Sequence, residues 1–235
     1  GSAIVHAKQS IEPLNIHISG LNFPGVTQFN HKGAYDLFLK DINQKANVNM
    51  QYDVMLPARA ARLFYQKKAD CVVPAEFYLP YYQGFDVIAS AHFSFVDYVA
   101  FTVKPNAKVT SKGQLQGKKI GIVRGEGNWN LEKRFNIANA QYIELVDVKA
   151  MLGMLVKGKV DAVIHPSTVM LGAMQRFNVD TILYDTQSPI LKNDLAIVCH
   201  KNSRTIEYLS RVDPLIRKVV AENGIAAYRA KVTTE

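Results

Sequence analysis

With 235 residues, the chain is long enough for one large domain or two small ones, each with its own core. A hydrophobic fraction of 48% with 20% charged residues excludes a disordered chain, and no apolar run approaches the roughly 18 residues needed to span a bilayer. The net charge of +8 raises nucleic acid as a partner, but the basic residues cluster only in pairs such as Lys67-Lys68 and Lys118-Lys119. Without a basic helix face or an Arg-rich arm, a solvated basic surface is the expected reading and no nucleic acid is expected.

Gly1-Ser2 reads as the scar of a cleaved expression tag; such trimming also removes any signal peptide, so its absence carries no information on compartment. LNIHIS (14–19) alternates apolar and polar residues, the period of a half-buried strand, and GLNFPGVT marks the loop after it. Tyr35, Phe38, Leu39, Ile42 and Ala46 recur at helical spacing across 33–47. VNMQYDV (48–54) alternates strictly, with Val48, Met50, Tyr52 and Val54 on one face. Pro57 suits the first turn of a helix, which ARAARLFYQKK continues and whose two lysines fit the negative end of the dipole. CVVPA is a short apolar strand. Strand, helix, strand, helix, strand is the pattern of an open α/β sheet.

The pattern then restarts. QLQG is a polar turn, Lys119–Val123 a strand, and a helix beginning near Trp129 carries Leu131, Phe135 and Ile137. YIELVD, KAMLGMLVKG, VDAVI and VMLGAMQRF read as strand, helix, strand and helix. DLAIVC (194–199) is a further strand, followed by a helix from about Arg204. Asp213-Pro214 is expected to restart a helix, with Asp as N-cap and Pro at N1, and Asn223-Gly224 to end it before a last short helix, AAYRAK.

Two phrases repeat. KKADCVV holds Lys68, Asp70 and Val72, and GKVDAVI, 91 positions later, holds Lys159, Asp161 and Val163. With the same element order on both sides, two similar open α/β lobes are expected. Cys71 and Cys199 lie 128 positions apart in apolar strands; they are expected to be buried free thiols, with pairing in an oxidising compartment left open. No Cys or His spacing points to a metal, and no cofactor is implied.

In their order and spacing, ARLFYQKKADCVVP, SKGQLQGKKIGIVRGEGN, MLVKGKVDAVIHPS, LAIVCHKNS and the closing ENGIAAY resemble the bacterial extracytoplasmic solute-binding proteins, type II two-lobed fold, of the polar amino-acid class (family 3). The resemblance implies lobe one from 1–97 plus 194–235 and lobe two from 98–193. It also implies a two-segment hinge near Phe95–Tyr98 and Leu191–Asp194, and a ligand captured in the cleft between lobes by hinge closure. It further implies a periplasmic monomer whose partners are a small-molecule ligand and a membrane permease of the ABC importer class.

Open α/β sheets bind ligands at the carboxyl ends of their strands, which selects the candidate site residues. The loop after the first strand offers Asn22 and Phe23. AEFYLPYY offers Glu76, Phe77, Tyr78 and Tyr82, with Tyr81 between them; these aromatics form either a stacking wall over a ligand or a cap on the core. VRGEGNWN leads from a strand to a helix start, where Arg124, Gly125, Asn128 and Trp129 suit an anionic group, unless the glycines merely make a turn. After VDAVI come His165, which a packed position also explains, and Ser167, for which helix capping is the safer assignment.

The resemblance breaks at the ligand clamp. Amino-acid binders of this class hold the α-carboxylate with an Arg after the third lobe-one strand, where this chain reads AEFYLPYYQGF without one. They hold the α-amino group with an Asp where this chain has Pro166. A standard α-amino acid held in the standard way is therefore not expected. The alternative within the fold is a sensory domain that presents its ligand state to a membrane-bound kinase, cyclase or chemoreceptor. A dehydratase-type enzyme would rest on Glu76 and His165 alone, and no enzyme is expected.

Overall fold

Strict alternation in 48–54 gives a strand whose even-numbered residues turn inward, and it lies on the outside of a parallel set. The structure, a computed structural model, describes residues 12–23, 25–82, 84–123 and 131–232. It divides into two compact units: one holds the chain up to Ser94 and from Asp194 onward, the other is Phe95–Asn193.

In the first unit β1 (Leu14–Leu21) runs parallel to β2 (Val48–Met55), with Leu14 opposite Val48 and Leu21 opposite Met55. On its other side β1 runs parallel to β3 (Cys71–Ala75), with Ile18 opposite Cys71. The helices α1 (Ala34–Lys45) and α2 (Pro57–Tyr65) are the crossovers. Antiparallel β10 (Leu191–His200) follows β3 in the sheet, and short β4 (Val87–Ala89) pairs with β10, so the order is β2-β1-β3-β10. Pro74 lies in β3 where Val72 faces Val198 but Ala75 faces Ala196, a bulge that places the residue lacking an N–H out of the ladder. Ile16 and Ile18 pack with Phe38, Leu39 and Ile42 of α1, each such buried side chain stabilising by about 1.5–3 kcal/mol.

Three expectations change here. The cysteines are not free: Cys71 and Cys199 form a disulfide, their Cα atoms 4.0 Å apart. They are direct partners of β3 and β10 at a position flanked by the His200 N–H to Asp70 carbonyl bond, where facing side chains come closest. Second, α6 (Ser203–Ala221) runs through Pro214 without restarting. Its buried face of Tyr208, Leu209, Val212 and Ile216 outweighs the ~3 kcal/mol cost of an internal proline, and Asp213 instead accepts a hydrogen bond from Ala91 N–H at 2.8 Å. Third, α2 ends before its lysines: Lys67 takes a left-handed φ of 57° and turns the chain toward β3. The last helix, α7 (Gly224–Ala230), follows Asn223 as expected.

The second unit repeats the plan. β6 (Lys119–Val123) runs parallel to β7 (Gln141–Leu145) and to β8 (Ala162–Pro166), and β5 (Ser94–Val103) is antiparallel to β8, giving the order β7-β6-β8-β5. Two-residue β9 (Ile182–Leu183) pairs with β5. The helices are α3 (Leu131–Phe135), which ends before Ile137, α4 (Val148–Val156) and α5 (Ser167–Arg176). One face of the sheet buries Leu115, Ile120, Ile122 and Phe135; the other buries Val163 with Met151 and Leu155 of α4 and Met170 of α5. Counting its parallel strands, each unit therefore has the first in the middle, the second outside, the third inside and an antiparallel strand beyond. The chain passes between the units within β5 and again within β10. Among the described residues no helix is long and apolar enough to cross a membrane.

Candidate ligand-binding edges

In the first unit β1 and β3 are parallel, with Gly20 opposite Val73, so the loops carrying Asn22-Phe23 and Glu76–Tyr78 leave the same edge of the sheet. The Asn22 N–H donates to the Met55 carbonyl at 2.8 Å, extending the β1–β2 ladder. Phe23 and Thr27 then exchange backbone hydrogen bonds of 2.8 and 3.0 Å, and the Thr27 hydroxyl donates back to the Leu21 carbonyl. Asn22 presents a side-chain carbonyl oxygen that is enclosed and accepts no hydrogen bond among the described residues.

The loop is anchored by a residue the sequence reading did not select. The buried carboxyl group of Asp36 accepts from the Gln28 and Gly33 N–H groups, each at 2.8 Å, and from the Tyr52 hydroxyl. Burial holds this carboxyl above its ordinary value, with the three hydrogen bonds and nearby His31 pulling the other way. Burial first, and then the Asp36 charge, pushes the Tyr52 phenol up. Two glycines make room for the arrangement. A Cβ on Gly20 would lie 2.8 Å from the Tyr52 ring, and one on Gly33 would lie 2.3 Å from the Val26 carbonyl oxygen.

The aromatic segment after β3 divides between the two roles considered for it. Tyr82 turns into the unit: it is buried, donates from its hydroxyl to the Glu76 carbonyl at 2.7 Å and lies edge-on to Phe64. Tyr78 and Tyr81 meet edge-to-face at 4.6 Å, and the Tyr65 hydroxyl donates to the Tyr81 carbonyl at 2.7 Å. Phe77 is 43% exposed. Glu76 is half-buried at the edge beside it. The segment is thus a scaffold of Tyr82 and Tyr81 that presents Phe77 to solvent.

In the second unit β6 and β8 are parallel, Gly121 opposite Val163, and their carboxyl ends again share an edge. Arg124, Gly125, Asn128 and Trp129 follow β6 and lie outside the described residues. His165 is buried on β8, opposite Val99 of β5. Ser167 is not the helix cap. Pro166 holds that position, with φ −52° and ψ 127°, and Ser167 is the first residue of α5, half-buried at its start. A proline N-cap has no side-chain acceptor, so no side chain caps this helix.

The same edge holds a second residue missed in the sequence. Asp97 of β5 precedes Tyr98, which lies opposite Pro166, so the antiparallel register carries Asp97 to the level of Ser167. It is half-buried, and its Oδ1 is enclosed with no hydrogen-bond partner among the described residues. The available signal was one carboxylate inside the otherwise apolar run FVDYVAFTV. No group of three or more His, Cys, Asp or Glu side chains able to hold a metal is present among the described residues.

No family model matches the chain, and no curated protein matches it. Solved structures do. The GluR0 ligand-binding core in complex with L-glutamate aligns with a TM-score of 0.72 at 12% identity, covering 94% of this chain and 98% of that one. A histidine kinase sensor domain with similarity to periplasmic binding proteins gives 0.68 at 11% identity, covering 94% and 96%. The substrate binding protein of an amino acid ABC transporter gives 0.62 at 16%, covering 91% and 96%. The fold is periplasmic-binding-protein-like. At these identities the likeness is one of fold, and it spans nearly the whole of each protein.

In a periplasmic-binding-protein-like fold the parallel strands of each unit direct their carboxyl ends to loops, and at these two edges side-chain oxygens of Asn22 and Asp97 have no hydrogen-bond partner among the described residues. An enclosed acceptor without a donor is uncommon in folded proteins and costs about 1–3 kcal/mol. Asn22 and Asp97 each bring one such group to a sheet edge.

Proposed function

We propose that the chain is a solute-binding domain that captures a small polar molecule with the carboxyl-edge loops of both units and closes on it by hinge motion where β5 and β10 cross between them. The near full-length fold likeness to a ligand-binding core and to a transporter's substrate binding protein carries this reading. Two further observations support it. The Cys71–Cys199 disulfide suits an oxidising compartment such as the periplasm. Asn22, Glu76 and Ser167 follow the carboxyl ends of β1, β3 and β8, where open α/β sheets take ligands.

The domain acts as a monomer that hands its ligand to a membrane permease of the ABC class. The second reading is a sensory domain coupled to a membrane-bound receptor, favoured by the likeness to a histidine kinase sensor domain. In either role the ligand is not a standard α-amino acid held in the standard way, because 75–85 lacks an Arg and Pro166 replaces the acidic residue.

The test is a thermal-shift screen of the purified protein against amino acids, amines and polyamines, dicarboxylates, nucleosides and small aromatic acids. A ligand at about 100 times its dissociation constant adds roughly 2.7 kcal/mol, a rise on the order of 5 to 10 °C for a chain of this size. A rise with one chemical class supports solute capture. A flat response across the panel at millimolar concentration overturns it.

A further inference from the structure

We propose that the amino edge of the sheet in the second unit is an electrostatic docking surface for an anionic lipid bilayer, held by lysines that the fold gathers from separate segments. The surface lies at the opposite end of this sheet from the candidate binding loops, so it goes beyond solute capture and does not depend on it.

β6 and β8 both begin at this edge, with Ile120 opposite Ala162 and the Asp161 N–H donating to the Lys119 carbonyl. β5 runs the other way, with Phe101 opposite Val163, so its last residue, Val103, arrives level with the start of β8. The connection from β5 to β6 therefore begins and ends on the same edge. The Asn106 side-chain amide ties it to the Asp161 carbonyl at 3.2 Å, and the Gln114 amide closes it on the Lys108 carbonyl at 3.0 Å. This connection carries Lys104, Lys108, Lys112 and Lys118, and Lys119 opens β6. The turn from α4 into β8 adds Lys157 and Lys159. Pairs that stand apart in the sequence thus share one edge of one unit.

All seven lysines are exposed, and none gives a side-chain hydrogen bond or ion pair among the described residues. They outnumber the nearby aspartates, Asp161, Asp180 and Asp185. The Asp161 carboxylate already accepts from the Lys119 N–H, and that of Asp185 from the Gln187 N–H and the Ser188 hydroxyl. Like charges crowded on one edge repel one another, a cost that an anionic surface removes. Lysines are mobile point charges without the planar fork that fixes a single carboxylate or phosphate, so they suit an array of headgroups that itself moves. Val156, 52% exposed at the end of α4 beside Lys157, adds an apolar side chain able to enter the headgroup layer. Each lysine near an anionic bilayer strengthens binding about fivefold, so affinity builds only where several headgroups are met at once.

The experiment is co-sedimentation of the intact protein with vesicles of mixed phosphatidylglycerol and phosphatidylcholine, and with phosphatidylcholine alone, at low and at physiological salt. An edge variant carries Lys118→Gln, Lys157→Gln and Lys159→Gln. A control carries Lys32→Gln, Lys40→Gln and Lys218→Gln, removing the same charge from exposed positions of the first unit. Wild type should bind the mixed vesicles, leave them as salt rises and ignore phosphatidylcholine. The edge variant should bind about thirtyfold more weakly, and the control within about threefold of wild type. A second edge variant, Lys104→Gln with Lys112→Gln, should lose about tenfold and guards against a folding defect in the first. Equal losses in edge and control variants make binding a matter of net charge and overturn the proposal. So does wild-type affinity in both edge variants, or no binding of wild type to the mixed vesicles. A parallel titration with poly-glutamate tests the other occupant: binding there without binding to vesicles assigns the edge to an acidic protein segment and overturns the bilayer.

Discussion

Asp70 and His17 are joined twice: the Asp70 N–H donates to the His17 carbonyl at 2.9 Å, and its carboxylate accepts the His17 N–H at 2.8 Å. Asp161 does the same to Lys119 in the second unit, with both bonds at 2.8 Å. In each case a helix exits through a left-handed residue, Lys67 or Gly158, and a buried Ala69 or Val160 precedes the aspartate. The repeated phrase is therefore a lock that fixes the third strand of each unit against its first. Asp161→Ala removes a carboxylate acceptor and should cost about 1–3 kcal/mol, seen as a fall in melting temperature on the order of 5 °C. Asp70→Ala should cost at least as much, since Asp70 also pairs with Arg204 at 2.5 Å. A double variant should be additive, because the two locks lie in separate units; an unchanged melting temperature in either single variant rejects the lock.

The repeated phrase was legible in the sequence because it is local, as were the alternating strand over 48–54 and the helical stripe of Phe38, Leu39 and Ile42, although the hydrogen bonds made by the phrase's aspartates were not. What escaped is long-range. The Cys71–Cys199 pairing depends on the register of β3 against β10, which no local pattern specifies. The Asp36–Tyr52 contact joins a helix start to the second strand of the sheet. Pro214 was read by its own preference for a first turn, but the core packing of α6 overrides that preference. β5 showed no alternation because it is buried on both faces through its middle, and Asp97 passed unnoticed within it. At the candidate site, the expected edge residues sort into presenters, such as Asn22 and Phe77, and scaffold, such as Tyr82. That division depends on which way each side chain turns, which composition does not record.

The disulfide closes a loop across 128 residues that includes the whole second unit. In the chain-entropy model such a cross-link stabilises by about 5 kcal/mol. Reduction with dithiothreitol, or Cys71→Ala with Cys199→Ala, should lower the melting temperature by 10 °C or more. Equal melting curves with and without reductant would show that the bond carries little of the stability.

Asp36 should make stability depend on pH in a direction opposite to that of a salt-bridged aspartate. Its folded-state value lies above the ordinary 3.8 because burial disfavours the charged form. An acid with a raised folded value gives its full stabilising contribution below its unfolded value and loses it as pH rises through the folded one. Asp36→Asn does not titrate and serves as the reference. The stability of wild type relative to Asp36→Asn should be greatest below about pH 4 and shrink toward pH 7 in urea melts. A difference that grows with pH would mean that the hydrogen bonds from Gln28, Gly33 and Tyr52 outweigh desolvation.

Phe77 and Tyr82 should separate binding from stability within one loop. Tyr82 is buried and its hydroxyl supplies the Glu76 carbonyl, so Tyr82→Phe leaves that acceptor without its donor and should cost about 1–2 kcal/mol. Any effect on ligand affinity would follow only from the loosened loop and should stay within a few fold. Phe77 is 43% exposed and belongs to none of the core clusters, so Phe77→Ala should lower the ligand-free melting temperature by no more than a few degrees. If its ring closes over the ligand, the same change should weaken binding tenfold or more, as loss of an aromatic contact residue does at other interfaces. Titration of both variants with whichever compound stabilises the wild type decides the matter. The opposite pattern, with Tyr82→Phe abolishing binding at unchanged stability and Phe77→Ala silent, would move the ligand to the inner side of the loop.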